Sequence, residues 1–167
     1  MPSTYTPIAT TTLATATSSV TFSSIPSTYT DLICVVDAKL VSGATSTNLV
    51  GYLNSDTGNN YSWTRLFGDG SSAASDRASN YGSMILAAAG FLSNANPTNY
   101  IIQINNYANT TTYKTVLSRS NFAGNGTDAI VNLWRNTAAI TTLKLQTQIS
   151  NNMIAGSTFT LYGIKAA

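Results

Sequence analysis

The residue types that carry most enzymatic chemistry are nearly missing from this sequence. It has no His and no Glu, all six acidic residues are Asp, and the only cysteine is Cys34. Without His there is no Ser-His-Asp or Cys-His nucleophile and no ordinary zinc site. A working pair of carboxylates would need two of the scattered Asp to meet. We therefore expect no enzymatic activity, no catalytic residue, no cofactor and no bound metal.

One loop has the residue types of a hard-cation site. It carries Asn54, Asp56, Asn59 and Asn60, whose side-chain oxygens suit calcium. The spacing differs from that of a calcium-binding loop, and Asn and Asp are also the residues that cap tight turns. We therefore favour a hydrogen-bonded turn. Asp56 and Asp69, on loops either side of one predicted strand, are the first acids to test if the chain hydrolyses a polysaccharide.

The aromatic residues offer a second kind of chemistry, because Tyr and Trp can stack on sugar rings. The sandwich core and a subunit interface are the favoured places for most of them. Tyr52 and Tyr81 flank turns rich in Gly and Asn, so these two are predicted to be exposed and available to a glycan.

Three further side chains could take part in chemistry or binding: Cys34, Arg65 and Arg135. Cys34 lies in an apolar stretch and is predicted to be a buried, unreactive thiol. Arg65 and Arg135 each neighbour a Trp. We expect each to reach solvent from a sheet edge, and the alternatives are stacking on an aromatic ring or pairing with Asp across a subunit boundary.

Composition sets the class of protein. Only 8% of the 167 residues are charged, against about 25% in ordinary globular proteins, whereas Thr, Ser and Asn number 26, 20 and 17. The eight Lys and Arg are scattered, so no basic stripe predicts nucleic-acid binding. No apolar run is long enough to span a membrane, and the first residues do not resemble a secretion signal. We expect neither nucleic acid nor a membrane as a partner.

The dominant pattern is short β-type segments separated by clusters of Gly, Asn, Ser and Asp. Helical periodicity is limited to a turn or two near residues 72–80 or 86–91. The predicted strands are Thr17–Ser23, Asp31–Val41, Thr47–Leu53, Tyr61–Phe67, Ser83–Ala88, Asn99–Tyr107, Thr111–Arg119, Ala129–Asn136, Ile140–Ile149 and Thr158–Lys165.

These eight to ten strands predict an all-β fold, an antiparallel β-sandwich with jelly-roll-like topology, over residues 17–167. Residues 1–16 are rich in Thr and are predicted to form a short extended N-terminal arm. Their apolar side chains, Tyr5, Ile8 and Leu13, are too sparse to fold alone and are the expected contacts with a partner.

Four stretches resemble small virion structural proteins and tail-fibre-like proteins of tailed phages, over most of the chain from about residue 19 onward. The stretches are Thr21–Leu32, Asn60–Gly70, Tyr107–Lys114 and Ala155–Lys165. The resemblance implies a jelly-roll module that forms a homotrimer on the virion surface after assembly in the cytoplasm of a host bacterium. A single domain with a short arm favours head decoration, in which the partner is the major capsid protein or another virion protein. The alternative is a tail fibre or tail adaptor that contributes to recognition of host-surface glycans.

Overall fold

The computed structural model describes residues 4–122, 124 and 126–165, with only the backbone described at 88 and 89. Within these residues there are twelve strands and no helix, and hence no helix that could cross a membrane. The strands are β1 (Tyr5–Thr12), β2 (Ser19–Phe22), β3 (Asp31–Ala38), β4 (Thr47–Leu53), β5 (Tyr61–Gly68), β6 (Ala73–Tyr81), β7 (Met84–Leu92), β8 (Thr98–Ile104), β9 (Lys114–Phe122), β10 (Gly126–Trp134), β11 (Leu143–Thr147) and β12 (Thr158–Ile164).

The strands form two antiparallel sheets. The larger has the order β1-β12-β3-β8-β9-β10-β5-β6, and the smaller has the order β2-β11-β4-β7. Without the hairpins β5-β6 and β9-β10, eight strands remain. In chain order they give 1-8-3-6 in one sheet and 2-7-4-5 in the other, which is the strand order of a jelly roll. The predicted fold class is confirmed, and the two hairpins are additions that widen one sheet.

Most strand positions follow from the sequence pattern, but β6 does not. Residues 72–80, one of the two stretches with some helical periodicity, lie almost entirely in β6, an edge strand paired with β5. Nearly all of its side chains are exposed. An edge strand without an apolar face has no alternation to detect, and it is extended here because β5 supplies its hydrogen-bond partners. Residues 86–91, the other possible helical stretch, lie in β7.

The N-terminal segment is extended, as predicted, but it is not separate from the sandwich. Residues Tyr5–Thr12 form β1 and pair along β12, with a bulge between Pro7 and Ala9. Beyond β1, the backbone of Leu13 exchanges hydrogen bonds with Ser157 and Gly156. The boundary expected at residue 16 is therefore corrected, because this segment completes the larger sheet.

The main core lies between the two sheets. Side chains alternate along β3, where Leu32, Cys34 and Val36 point inward, and along β12, where Phe159 and Leu161 do. We call the side of the larger sheet that faces the smaller sheet its inner face, and the opposite side its outer face. Because the registers are fixed, each outward residue has known neighbours on the adjacent strands.

A polar contact joins the added strands to the smaller sheet. Strand β7 is the edge of that sheet, and the side-chain amide of Asn132 on β10 bonds to both backbone groups of Ile85 on β7. The Oδ1 atom accepts from the Ile85 N–H, and the Nδ2 atom donates to the Ile85 carbonyl, each over 2.9 Å. Beside this contact, Val50, Ile85 and Ile130 form a second, smaller core. One side chain therefore protects the edge of β7.

Candidate functional site

The three residues expected to contact a partner through the N-terminal segment have different environments. Tyr5 is 52% exposed and meets the ring of Tyr162 edge to face. Ile8 is half-buried and packs against the main core, and Leu13 is only 6% exposed and belongs to that core. The expectation for Leu13 is corrected, since its side chain fills the chain's own interior. Of the three, Tyr5 is the one that a partner could reach readily.

Tyr52 and Tyr81 lie near one another around the second core, and both are half-buried rather than exposed. Their hydroxyl groups accept hydrogen bonds from two glutamines of the chain segment that includes β11. Gln146 Nε2 is 3.4 Å from the Tyr52 hydroxyl, and Gln148 Nε2 is 3.1 Å from the Tyr81 hydroxyl. The structure thus brings both predicted aromatics into one polar surface, which we call the tyrosine–glutamine surface.

The loop that carries Asn54, Asp56, Asn59 and Asn60 is held by hydrogen bonds to Asp56 from within the loop and from β10. The Asp56 carboxylate accepts from the Trp134 indole at 2.7 Å, from the Asn60 amide at 2.9 Å and from the Gly58 backbone at 2.8 Å. Burial acts to raise the pKa of Asp56, but these three donors outweigh it, so the pKa lies below its ordinary value. Asn54 caps the neighbouring segment by accepting from the backbone of Thr141.

Asp69 likewise stabilises the turn in which it lies. One of its carboxylate oxygens accepts from the backbone N–H groups and the hydroxyls of Ser71 and Ser72. These donors lower the pKa of Asp69 well below its usual range. Across the described residues, no three His, Cys, Asp or Glu side chains are grouped so that they could hold a metal ion. Both loops therefore position strand ends, as turns rich in Asx residues do.

Arg65 lies in the interior rather than at the sheet edge expected from the sequence. It is 3% exposed, and its guanidinium contacts Asp128 at 2.9 Å and Asp76 at 3.6 Å. The same group lies 3.7 Å from the centre of the Phe67 ring. Both alternatives, aromatic stacking and pairing with Asp, are therefore realised, but within one chain. Arg135 instead donates to the backbone of Asn59 and to the Asn80 side chain.

The most unusual surface is the outer face of the larger sheet. Four of its aliphatic side chains are exposed, with Leu66 at 63% and Val131 at 51% the most exposed. We call these four the outer strip: Leu66, Val131, Ile101 and Val35. Leu66 and Ile101 belong to one row of neighbours that crosses β5, β10, β9 and β8 and reaches Val35 on β3. Val131 lies one position farther along its face of β10.

Two grooves lie on this face. One has a volume of about 660 Å³ and is lined by Leu66, Ile101, Ala129 and Arg119, among others. The second has a volume of about 570 Å³ and is lined by Val131 and Leu133, together with Arg77 and several hydroxyl side chains. These volumes are in the range of grooves that take up ligands or side chains of a partner.

The sequence has one feature that marks the outer strip, namely adjacent apolar residues within a strand. A search for alternating apolar and polar residues does not detect it. A strand with one solvated face alternates apolar and polar residues, whereas a strand covered on both faces carries adjacent apolar residues. Adjacent apolar pairs occur at Val35-Val36, Leu66-Phe67, Ile101-Ile102 and Ile130-Val131. The first or second member of each pair is in the outer strip, so these pairs are the feature of the sequence that distinguishes these strands from strands with one solvated face.

No protein-family model matches the chain, and no curated protein matches it. Two solved structures show a distant similarity. One is a GH43 glycoside hydrolase engineered for both endo-xylanase and exo-arabinofuranosidase activity, with a TM-score of 0.37, 9% identity, and coverage of 96% of this chain and 36% of that chain. The other is a mutant of alginate lyase Aly36B in complex with an alginate tetrasaccharide, with a TM-score of 0.36, 8% identity, and coverage of 95% and 80%. Similarity at this level supports no functional conclusion, and the jelly-roll assignment rests on the strand order above.

Proposed function

We propose that this chain is a structural protein of a tailed-phage virion, specifically a head decoration protein that binds the outside of the capsid as a homotrimer. The outer strip is the observation that carries the proposal. Leu66 and Val131 expose more than half of their surface on a face that holds two grooves. Leu66 and Val131 are diagonal neighbours on β5 and β10, and Ile101 and Val35 are direct neighbours on β8 and β3. Groups of exposed aliphatic side chains mark surfaces that bind protein.

The N-terminal segment and the low charge support the same proposal. Because β1 and Leu13 are used within the chain's own sandwich, capsid binding is assigned to the outer face rather than to an arm. With so few charged residues, little of the fold's stability depends on ion pairs at the surface, which salt would screen. A virion surface protein must keep its structure over a wide range of ionic strength.

The test measures occupancy of capsid shells purified without this protein from the phage that encodes it. Wild-type protein should saturate the shells, and Leu66→Asp together with Val131→Asp should weaken binding about 100-fold or more, because both variants place charge in the proposed interface. Thr21→Asp is the matched control, since Thr21 is exposed on the smaller sheet. The proposal fails if the double variant, still folded by its melting curve, binds as wild type does.

Trimer formation is measured separately by light scattering, on the free protein and on protein released from shells. A mass of three chains in either sample supports the homotrimer. A single-chain mass in both samples removes the trimer from the proposal and leaves capsid binding to be decided by the occupancy experiment.

A second candidate function, glycan recognition in a tail fibre or tail adaptor, is favoured by the tyrosine–glutamine surface. Tyrosines beside amide side chains offer both a flat apolar ring and hydrogen bonds to sugar hydroxyls. This function predicts binding to host surface polysaccharide that Tyr52→Ala abolishes and that Leu66→Asp leaves unchanged. Labelled protein at the tail end instead of the shell would place this candidate first.

A further inference from the structure

The two outer-face grooves lie side by side on the same strands. The larger contains Leu66 and Ala129, which are direct partners on β5 and β10, and the smaller contains Thr64 and Val131, the next outward pair along the same two strands. Aliphatic side chains line both grooves. A ligand in an extended conformation that crosses β10 and β5 diagonally would therefore enter both.

Each groove also contains one arginine that the chain leaves without a partner. The side chains of Arg119 in the larger groove and Arg77 in the smaller one make no hydrogen bond or ion pair with any other described residue. Among the groove-lining residues that the structure describes, the one carboxylate is that of Asp128, which is buried and pairs with Arg65. Both grooves are thus positively charged, and their exposed guanidinium groups are available to carboxylates of a partner.

The lining favours a protein segment over a sugar. The two aromatic residues that border the grooves, Phe67 and Trp63, are engaged from the inner face. Phe67 lies against the guanidinium of Arg65, and Trp63 meets Tyr81 edge to face. Neither ring offers a flat surface to a ligand in the grooves. Aliphatic side chains together with arginine are what protein interfaces contain, and arginine binds carboxylates with two parallel hydrogen bonds.

The spacing of the arginines limits the length of the segment. Strands β9 and β6 are three strand spacings apart, and the pairing through Ala129, Val131 and Thr64 offsets Arg77 by two residues from the row of Arg119. With about 4.8 Å between strands and about 3.4 Å per residue, the two Cα atoms lie roughly 16 Å apart. Carboxylates four to six residues apart on an extended chain span about 13 to 20 Å.

We propose that the two grooves together bind one extended, acidic segment of a partner protein, in which two carboxylates four to six residues apart flank aliphatic side chains. One carboxylate pairs with Arg119 and the other with Arg77, and the aliphatic side chains between them cover Leu66 and Val131. This inference rests on the proposed function, because it names the kind of capsid-protein segment that the outer face would accept.

The probe is a labelled threonine-rich peptide of 13 residues with two aspartates six residues apart and two valines between them, all at alternate positions. Its partner probe has asparagine in place of both aspartates. Fluorescence anisotropy should show about tenfold tighter binding of the aspartate peptide. Arg119→Gln and Arg77→Gln should each weaken that binding by about threefold, and the double variant by about tenfold. Lys165→Gln, which removes the same charge outside both grooves, should leave binding unchanged.

Three results would overturn the inference: equal binding of the two peptides, arginine variants that bind as Lys165→Gln does, or an acidic polysaccharide that binds the same arginines more tightly than the peptide. The shell experiment keeps the two proposals distinct. If shells do not bind but the aspartate peptide does so through both arginines, the virion role fails and the acidic-segment site stands. If shells bind through Leu66 and Val131 with no effect of either arginine, the virion role stands and the acidic-segment site fails.

Discussion

The eight jelly-roll strands and the four added strands have different interiors. In the jelly roll, β3 and β12 turn Leu32, Val36 and Leu161 toward a core made almost wholly of apolar side chains. The inner faces of β5, β9 and β10 add Tyr61, Val116 and Trp134 to this core. They also carry buried polar and charged side chains: Arg65, Asp128, Asn132, Lys114, Ser118 and Ser120. Apolar burial, which is non-directional, therefore dominates in the frame, whereas the added strands combine apolar burial with directional polar contacts.

This difference bears on where a partner could bind. Directional contacts fix the register of the added strands, and the register decides that Leu66, Val131, Arg119 and Arg77 face outward together. The jelly roll alone would lack both grooves, since β5, β9 and β10 supply most of their lining. The added strands are thus the part of the chain that can acquire a binding surface without disturbing the core.

The largest effect on stability is expected from breaking the buried ion pair of the added strands. Arg65→Met leaves the Asp128 carboxylate buried without its guanidinium, which should lower the free energy of unfolding by about 3–5 kcal/mol. Arg65→Met combined with Asp128→Leu should recover most of that loss. Urea denaturation measures both, and Arg119→Met on the outer face is the control, with a change within about 0.5 kcal/mol. If Arg65→Met costs no more than this control, polar contacts do not hold the added strands.

The next largest effect on stability is expected from breaking the contact of Asn132 with the edge of β7. Asn132→Ala leaves the N–H and carbonyl of Ile85 without partners in the interior, so we expect a loss of about 2–4 kcal/mol. Ser118→Ala is the matched test, because the Ser118 hydroxyl is buried without a hydrogen-bond partner among the described residues. That variant should be neutral or slightly stabilising. Equal losses in the two variants would contradict the role given to Asn132.

A smaller effect is expected from acid at the loop that joins the jelly roll to β5. The pKa of Asp56 is lower in the folded chain than in the unfolded chain, so its contribution to stability is present above about pH 4 and is lost as the pH falls through the folded value. Asp56→Asn should therefore be less stable near pH 7 and show a weaker decline of the melting temperature below about pH 4. A decline as steep as that of the wild type would assign the acid sensitivity to other carboxylates.

The smallest expected effect concerns Cys34, within the jelly-roll frame. Burial raises the pKa of its thiol to about 12, so almost no thiolate forms at neutral pH. A thiol-reactive dye should label the native protein only as fast as it unfolds, and should label it at once in denaturant. Rapid labelling under native conditions would show that the jelly roll opens locally around Cys34.

The sequence predicted the jelly-roll frame well for a physical reason. Strands such as β12 alternate apolar and polar residues because one side packs in the core, so the predicted stretch Thr158–Lys165 coincides closely with β12. The predicted stretch Thr47–Leu53 has the same bounds as β4. The alternation did not predict the edge strands β1 and β6, since a strand at an edge is fixed by its neighbour's hydrogen bonds rather than by its own apolar pattern. Of the candidate site residues, Tyr52 and Tyr81 were predicted to be exposed, whereas both are half-buried. That they lie on one surface follows from the fold and not from the sequence.

By itself, the sequence determined that the chain forms an all-β sandwich and that it lacks His and Glu, because composition and local periodicity depend on nothing beyond the chain's own order. Tertiary structure alone decided that Arg65 is a buried partner of Asp128, which lies 63 residues away. It also decided that Arg119 and Arg77 share a face with Leu66 and Val131. Such groupings arise from strand register across four different strands, and register is set by packing over the whole sheet rather than by any local run of residues.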